Sequence, residues 1–227
     1  LNDFNQFYKI ESLSLNTEYK MSYTELSQEF YEKESTHFSN TRYCLWDSVK
    51  NFCDQFDEDD NVLDAGCGNG KNISYYNTKC NMIGIDKSKS LVRICKEKGY
   101  NVERGDITNT HYKDNVFHYI ISIAVIHHIS NETHRIQSIH EMMRILKPGG
   151  QLLVTLWAYE SDEYSKKKRF SLGDNLVSFG KSKHMRYYYI YNREMCLDFC
   201  EKCEYNYRLK WDTGNWVIVF LKKIEII

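Results

Sequence analysis

No stretch of this 227-residue chain approaches the run of about eighteen apolar residues that a membrane-spanning helix needs, so no membrane contact is expected. The first residues lack the apolar core of a secretory signal and carry Asp3, Lys9 and Glu11, which argues against export. Net charge is lacking too: 30 Lys and Arg against 31 Asp and Glu leave −1. That excludes a global basic field, so contact with nucleic acid would need a local basic face. The eight cysteines show no secreted framework and read as reduced thiols inside a cell. The expected compartment is the cytoplasm, with the nucleus as the alternative. What is present, 42% hydrophobic and 27% charged residues, suits one soluble domain with a full core and some insertions.

The informative stretch is Asn61 to Gly70, Asn-Val-Leu-Asp-Ala-Gly-Cys-Gly-Asn-Gly. Val62 and Leu63 read as the end of a buried strand, after which Gly66, Gly68 and Gly70 fall at every second position. Glycine turns the backbone sharply at positive φ and lets a ligand come close. A strand, a glycine-rich turn and a helix start form a nucleotide cradle at the carboxyl edge of a sheet. A dinucleotide fingerprint wants another glycine three residues after Gly68, and Lys71 stands there instead. Asp-x-Gly-x-Gly-x-Gly resembles the first motif of class I methyltransferases, which bind S-adenosylmethionine. That cofactor has no phosphate. The resemblance implies that the turn formed by Gly66, Cys67, Gly68, Asn69 and Gly70 offers its amides to the methionine carboxylate, and that Asp64 takes the ammonium group.

Around this loop the chain reads as alternating strands and helices. Residues 1–21 show little periodicity and read as a loose arm. Ser22 to Glu34 reads as a helix, and Trp46, Val49, Phe52 and Cys53 recur at helical spacing. Asn81 to Ile85 reads as a second strand ending at Asp86, sixteen residues after Gly70. That is near the distance at which an acid at a strand tip accepts both ribose hydroxyls, and Lys87 stands beside it. Ser88 fits the cap of a helix over about Lys89 to Lys98, and Gly99 fits its end. Tyr100 to Arg104 is a short third strand before Gly105-Asp106-Ile107. There the resemblance implies that Asp106 accepts from the adenine amino group and Ile107 covers the ring, the alternative being a plain turn aspartate. Val116 to Val125 reads as a central parallel strand, with Ile123, Ala124 and Val125 expected against the cofactor. Ser130 fits the cap of the next helix, Pro148-Gly149-Gly150 stops it, and Gln151 to Trp157 is a fifth strand.

From Ala158 to Arg186 the rhythm breaks into a basic insertion with Lys166, Lys167, Lys168, Arg169, Lys181, Lys183 and Arg186. Aromatic residues interleave with these cations, a mixture that suits unstacked bases and phosphates, although a charge run is also what a solvated loop looks like. A helix near Arg193 to Cys203 and two strands, Tyr205 to Trp211 and Trp216 to Lys222, close the chain. The expected fold is therefore α/β. It is a seven-stranded, mostly parallel, doubly wound sheet of the class I methyltransferase, Rossmann-like kind, with a C-terminal antiparallel pair, in one domain over residues 22–227. Cys196, Cys200 and Cys203 have a spacing that can hold an iron–sulfur cluster, but with Phe199 they fall on one stripe of an amphipathic helix. They are read as buried small hydrophobes, and no metal site is expected.

Several stretches together resemble the eukaryotic tRNA wobble-uridine carboxymethyl methyltransferases: Phe38-Ser39-Asn40-Thr41-Arg42-Tyr43, Asp64 to Lys71, Ile121 to His128, Leu146 to Gly150, Leu156-Trp157-Ala158 and Arg186-Tyr187-Tyr188-Tyr189. The resemblance implies methyl transfer to the carboxylate of 5-carboxymethyluridine in the tRNA anticodon loop. It also implies that Arg42 and Arg186 grip the carboxylate or nearby phosphates. His127 and His128 would stand at the cofactor's methyl end, at least one of them facing the substrate; for His128 a structural hydrogen bond is the alternative. A small zinc-binding activator subunit is implied as well, adding to the edge strand near Val102. The competing readings are a class I methyltransferase with a small-molecule acceptor and a non-catalytic module that keeps the fold as a scaffold.

Overall fold

The computed structural model describes residues 7–8, 22–39, 45–160, 170–178 and 184–224. In chain order the first elements are β1 (Phe7–Tyr8), α1 (Tyr23–Lys33), α2 (Ser35–Ser39), α3 (Asp47–Cys53), β2 (Asn61–Ala65), α4 (Lys71–Tyr76), β3 (Asn81–Asp86), α5 (Lys89–Glu97) and β4 (Val102–Arg104). They are followed by β5 (Phe117–Ile123), a 3-10 turn (Ile126–His128), α6 (Glu132–Ile145), β6 (Leu146–Trp157), β7 (Gly173–Ser178), β8 (Met185–Ile190), α7 (Arg193–Cys203), β9 (Asn206–Asp212) and β10 (Asn215–Leu221).

Seven strands form the central sheet in the order β4-β3-β2-β5-β6-β10-β9. The first five run parallel, and β10 lies antiparallel between β6 and β9. The expected fold class holds. Parallel strands need cover on both faces, which is why Val62, Leu63, Ile120, Ile121, Leu152 and Leu153 are all buried. Chain order reverses between β2 and β5, and a crevice opens beyond the carboxyl ends of strands at such a switch point. Helix ends follow local chemistry. The Ser88 hydroxyl accepts from the Leu91 N–H at 3.2 Å, and Gly99 takes φ +80 just past α5.

Four expectations change. The cap of α6 is Asn131, whose side-chain oxygen accepts from the His134 N–H at 3.1 Å, while the Ser130 hydroxyl faces that of Thr24 at 2.9 Å. Strand β6 begins at Leu146, before the Pro-Gly-Gly turn, and a register shift opposite Phe117 and Tyr119 absorbs the extra residues. The stretch from Ala158 to Arg186 is not a plain loop, because β7 and β8 pair antiparallel over Gly173–Ser178. Of the expected N-terminal arm, Phe7–Tyr8 joins this hairpin as a third strand, and the other residues of 1–21 lie outside the described residues. Val177, Tyr188 and Ile190 give the small sheet its own core, joined by Trp157 and Phe170. Lys166, Lys167, Lys168, Arg169, Lys181 and Lys183 lie outside the described residues.

Cys196, Phe199, Cys200 and Cys203 are buried along α7, as the helical stripe predicts. Burial raises the Cys200 thiol to about 12, which keeps it protonated and inert. Strand β4, with buried Val102, is one edge of the central sheet. Among the described residues no helix is long and apolar enough to cross a membrane.

Candidate functional site

The carboxyl ends of β2, β3, β4 and β5 open into a cleft of about 1280 Å³. Helix α1 closes it from the opposite side, contributing Thr24, Gln28 and Tyr31 to its lining. The glycine turn folds back on β3, since the N–H groups of Gly66 and Cys67 both donate to the Ile85 carbonyl at 2.8 and 2.9 Å. Gly66 sits at φ +85, and a Cβ there would lie 2.4 Å from a Val125 methyl. Only glycine lets this turn and the end of β5 share the cleft floor. The Asp86 carboxylate accepts from the Gly68 N–H at 2.9 Å and from the Ser88 N–H at 2.8 Å, tying the turn to the start of α5. Burial pushes its carboxyl up, and the amide donors only partly oppose this.

Gly66, Cys67, Gly68, Asn69, Asp86, Lys87, Asp106, Ile107, Ile123, Ala124 and Val125 all line the cleft, so most of the expected cofactor residues converge. Asp106 is held by the Thr108 N–H and hydroxyl at 3.0 and 2.8 Å and by the Lys87 ammonium at 2.9 Å. Two expected residues do not reach the cleft. Gly70 faces away, where a Cβ would lie 2.6 Å from the Tyr100 ring and 3.0 Å from the Cys95 sulfur, so it serves the close packing of the start of α4 against these residues. Asp64 is fully buried beneath the turn, and one of its oxygens accepts from the Asn72 side chain at 3.1 Å. A strand-end acid at that depth anchors α4 through Asn72.

Burial raises the Asp64 carboxyl to about 7 from a starting value of 3.8, against a weaker pull from Asn72. The folded chain thus keeps a proton that the unfolded chain has lost. Stability from the protonated form is complete below about pH 4 and disappears as pH rises through about 7. Asp64→Asn is therefore expected to gain on the wild type by a few kcal/mol, to order of magnitude, between about pH 4 and pH 8. Urea unfolding of both chains across that range checks it, and parallel pH profiles would refute it.

The other half of the cleft starts where β5 ends. Ala124 takes φ +58, and its N–H donates to the Thr155 hydroxyl at 2.9 Å, which turns the chain into Ile126–His128. The two histidine rings meet edge to face at 4.6 Å but differ in depth. His127 is fully buried and does not line the cleft, contrary to its expected substrate role. Its ring stacks on Tyr188 at 5.1 Å, and its Nδ1 accepts from the Trp157 N–H at 3.3 Å. Burial, then the neighbouring His128 and Arg186, hold it well below the ordinary histidine range, so it stays neutral.

His128 does line the cleft. Its Nδ1 lies 2.7 Å from the Tyr187 carbonyl and its Nε2 lies 2.8 Å from the Tyr31 hydroxyl. Arg186, only 2% exposed, also reaches the cleft wall. Its guanidinium lies over the Phe30 ring at 4.7 Å and near Tyr188 at 5.2 Å. Tyr188 in turn stacks on Trp157 at 4.1 Å. A cation walled by aromatic rings is suited to an anion or a planar base. Arg42 lies outside the described residues.

Sequence reasoning missed the contribution of α1. Its start was legible, since Ser22 and Glu25 form a capping box, but a cap does not say where a helix packs. Glu32 settles that by accepting from the Lys89 and Ser90 N–H groups at 2.6 and 3.1 Å, which docks α1 on α5 at the ribose corner. At the other end the Ser27 hydroxyl accepts from the Tyr187 N–H at 2.9 Å.

A family model described as a methyltransferase domain matches residues 63–154. The tRNA (carboxymethyluridine(34)-5-O)-methyltransferase of Arabidopsis thaliana is 42% identical over 135 residues, 60% of this chain and 33% of that protein. A protein of the same enzyme name from Xenopus tropicalis is 38% identical over 67% of this chain and 24% of its own length. The chain thus spans a third or less of these two relatives. A putative methyltransferase of Encephalitozoon cuniculi is 34% identical over 75% of this chain and 82% of its own length. Among solved structures, an S-adenosylmethionine-dependent methyltransferase of Methanosarcina mazei superposes with a TM-score of 0.63 at 20% identity, covering 80% of this chain and 99% of that one. A putative methyltransferase of Haloferax volcanii, solved in complex with the Trm112 methyltransferase activator, gives a TM-score of 0.63 at 14% identity over 88% and 99% of the two chains. At those identities the structural likeness shows the fold alone.

Proposed function

Because this chain belongs to the S-adenosylmethionine-dependent methyltransferases, in the family of the tRNA carboxymethyluridine methyltransferases, we propose that it methylates the carboxylate of 5-carboxymethyluridine at the wobble position of tRNA, giving the methyl ester. The observation that carries this reading is Arg186, a buried guanidinium that opens into the same cleft as the glycine turn.

The cofactor half fits S-adenosylmethionine. Gly66 leaves room where a side chain would strike Val125, and Asp86 and Asp106 bring two carboxylates to the cleft wall. Asp86 would take the ribose hydroxyls, Asp106 and Ile107 the adenine, and the turn from Gly66 to Asn69 the methionine end. When bound, the cofactor supplies an electrophilic methyl on a positively charged sulfur.

An acceptor carboxylate is ionised near neutral pH and needs no strong general base. The neutral, buried His127 is consistent with that, since it has no route to take a proton from a ligand in the cleft. The work left to the protein is to orient and desolvate. Arg186 would hold the uridine carboxylate in a bidentate grip, with Trp157 and Tyr188 as the adjoining aromatic wall. Arg42 is assigned to the same anion or to flanking phosphates from its place in the sequence.

A small zinc-binding activator subunit is proposed at β4, an edge of the central sheet among the described residues, where strand addition would be possible. The cytoplasm, with a nuclear pool, is the proposed compartment. The test is to incubate the chain, with and without the activator, with labelled cofactor and tRNA carrying carboxymethyluridine, then digest to nucleosides. Label in the methyl ester is the expected result. Label elsewhere, or transfer only to small acids, would replace this reading.

A further inference from the structure

We propose that Arg135 is a positioning residue for the acceptor half of the cleft, holding β8 and the turn after His128 from behind at the setting that points Arg186 inward. The proposal rests on the role given to Arg186 above. Arg135 stands in the first turn of α6 and is only 3% exposed. Its Nη1 donates to the Ile129 and Ser130 carbonyls at 2.8 and 2.9 Å. Its guanidinium lies over the Tyr189 ring at 4.0 Å. Side chains alternate along a strand, so Tyr187 and Tyr189 share one side of β8 and Arg186 and Tyr188 the other. The packing agrees: Tyr188 and Ile190 belong to the core of the small sheet, while Tyr189 and Tyr191 pack into the main core with Ile139 and Met142 of α6. Burial raises the phenols of Tyr187, Tyr189 and Tyr191, and the nearby Arg135 charge opposes the rise in each. Arg135 does not line the cleft, but Ile129, Ser130, Arg186 and Tyr188 do. One side chain behind the wall thus joins two pieces of it that are far apart in sequence.

The position is a costly one for an arginine. A buried charge is unfavourable unless an opposite charge answers it. Among the described residues no carboxylate pairs with Arg135, and its Nε is buried without an acceptor. It also lies near the positive end of α6, where a cation is disfavoured. Methionine would fill similar space with none of these penalties. A residue that breaks the local rules of a helix start is expected where function requires it. What arginine adds is a flat fork that holds two carbonyls with one edge while its face packs on a ring. That fixes the spacing between the turn at residues 129–130 and the strand that carries Arg186.

The test is a double-mutant cycle on turnover of carboxymethyluridine tRNA, run well below the melting point of every variant, beside hydrogen exchange of the chain without tRNA. Arg135→Met is expected to lower kcat by about ten- to a hundredfold, as a small misplacement of a reacting group does, with KM and the cofactor Kd within about threefold. In the Arg186→Met chain the same change should cost less than about twofold more, because the group it positions is gone. Arg135→Lys keeps a donor for the carbonyls but not the flat face, and should recover part of the rate. If methionine prevents folding, lysine takes its place in the cycle. Exchange should quicken by about tenfold in Met185–Ile190 and in residues 126–130, but not in Asn61–Ala65. A folded Arg135→Met chain with wild-type kcat, losses that simply multiply with those of Arg186→Met, or unchanged exchange in β8 would overturn the proposal. A wild-type chain that leaves the tRNA unmethylated would overturn the function above, and exchange would still decide whether Arg135 holds β8.

Discussion

Arg186→Met is expected to lower kcat/KM for carboxymethyluridine tRNA by about a hundred- to a thousandfold while cofactor affinity stays within about twofold. The size follows from where the charge sits. The side chain is 2% exposed and packed between Phe30 and Tyr188, so water screens it little. Taking one partner from a desolvated ion pair costs about 3–5 kcal/mol, which is two to three decades in rate. Methionine fills similar volume between the rings, so the fold should hold. Arg186→Lys separates charge from shape. It should recover part of the activity, because an ammonium keeps the attraction but not the planar fork. Steady-state kinetics with the modified tRNA, beside calorimetry with the cofactor, decides it. Full turnover by Arg186→Met would remove Arg186 from the acceptor site.

Gly66→Ala is expected to destabilise the chain by about 2–4 kcal/mol and to weaken cofactor binding by a hundredfold or more. Two costs add. A left-handed backbone costs a residue with a Cβ about 1–2 kcal/mol, and Gly66 is at φ +85. The new methyl would also stand 2.4 and 2.7 Å from the two Val125 methyls and 3.1 Å from the Val125 Cβ. A β-branched side chain has few rotamers to escape into, so the turn or the end of β5 has to move. Both line the cleft, so the movement reaches any ligand there. Val125→Ala in the same chain should restore the part due to the clash and leave the dihedral part, and a double-mutant cycle in urea separates the two. An undisturbed midpoint would show that the turn is softer than its geometry implies.

The sequence was most readable where one local rule acts alone. The buried strands around Val62, Ile83 and Ile121 announce themselves by composition, and the glycine spacing and the acid at position 86 mark the switch point they build. Depth was not readable. Asp64 and Asp86 both end strands, yet Asp64 is sealed under the turn and Asp86 opens to the cleft. The same holds for adjacent His127 and His128, whose rings meet 4.6 Å apart although only His128 lines the cleft. Arg186 read as part of a basic insertion and, by resemblance, as a grip on the acceptor, but its burial against Phe30 and Tyr188 left no mark in its sequence neighbours. Partners far apart in the chain, such as Glu32 with Lys89 or Tyr31 with His128, leave no periodic trace at all.

The cleft has two walls of different ancestry in the chain. One comes from the turns after β2, β3, β4 and β5, and the other from residues 22–31 before the sheet and from Trp157, Arg186 and Tyr188 late in it. The proposed acceptor contacts therefore lie in segments outside the one that carries the glycine turn, joined to it directly by bonds such as that of Glu32 with Lys89. A lineage could redraft the flanking segments for a new acceptor and inherit the donor machinery unaltered, so a change of client would register in the outer segments while the middle of the chain stayed silent.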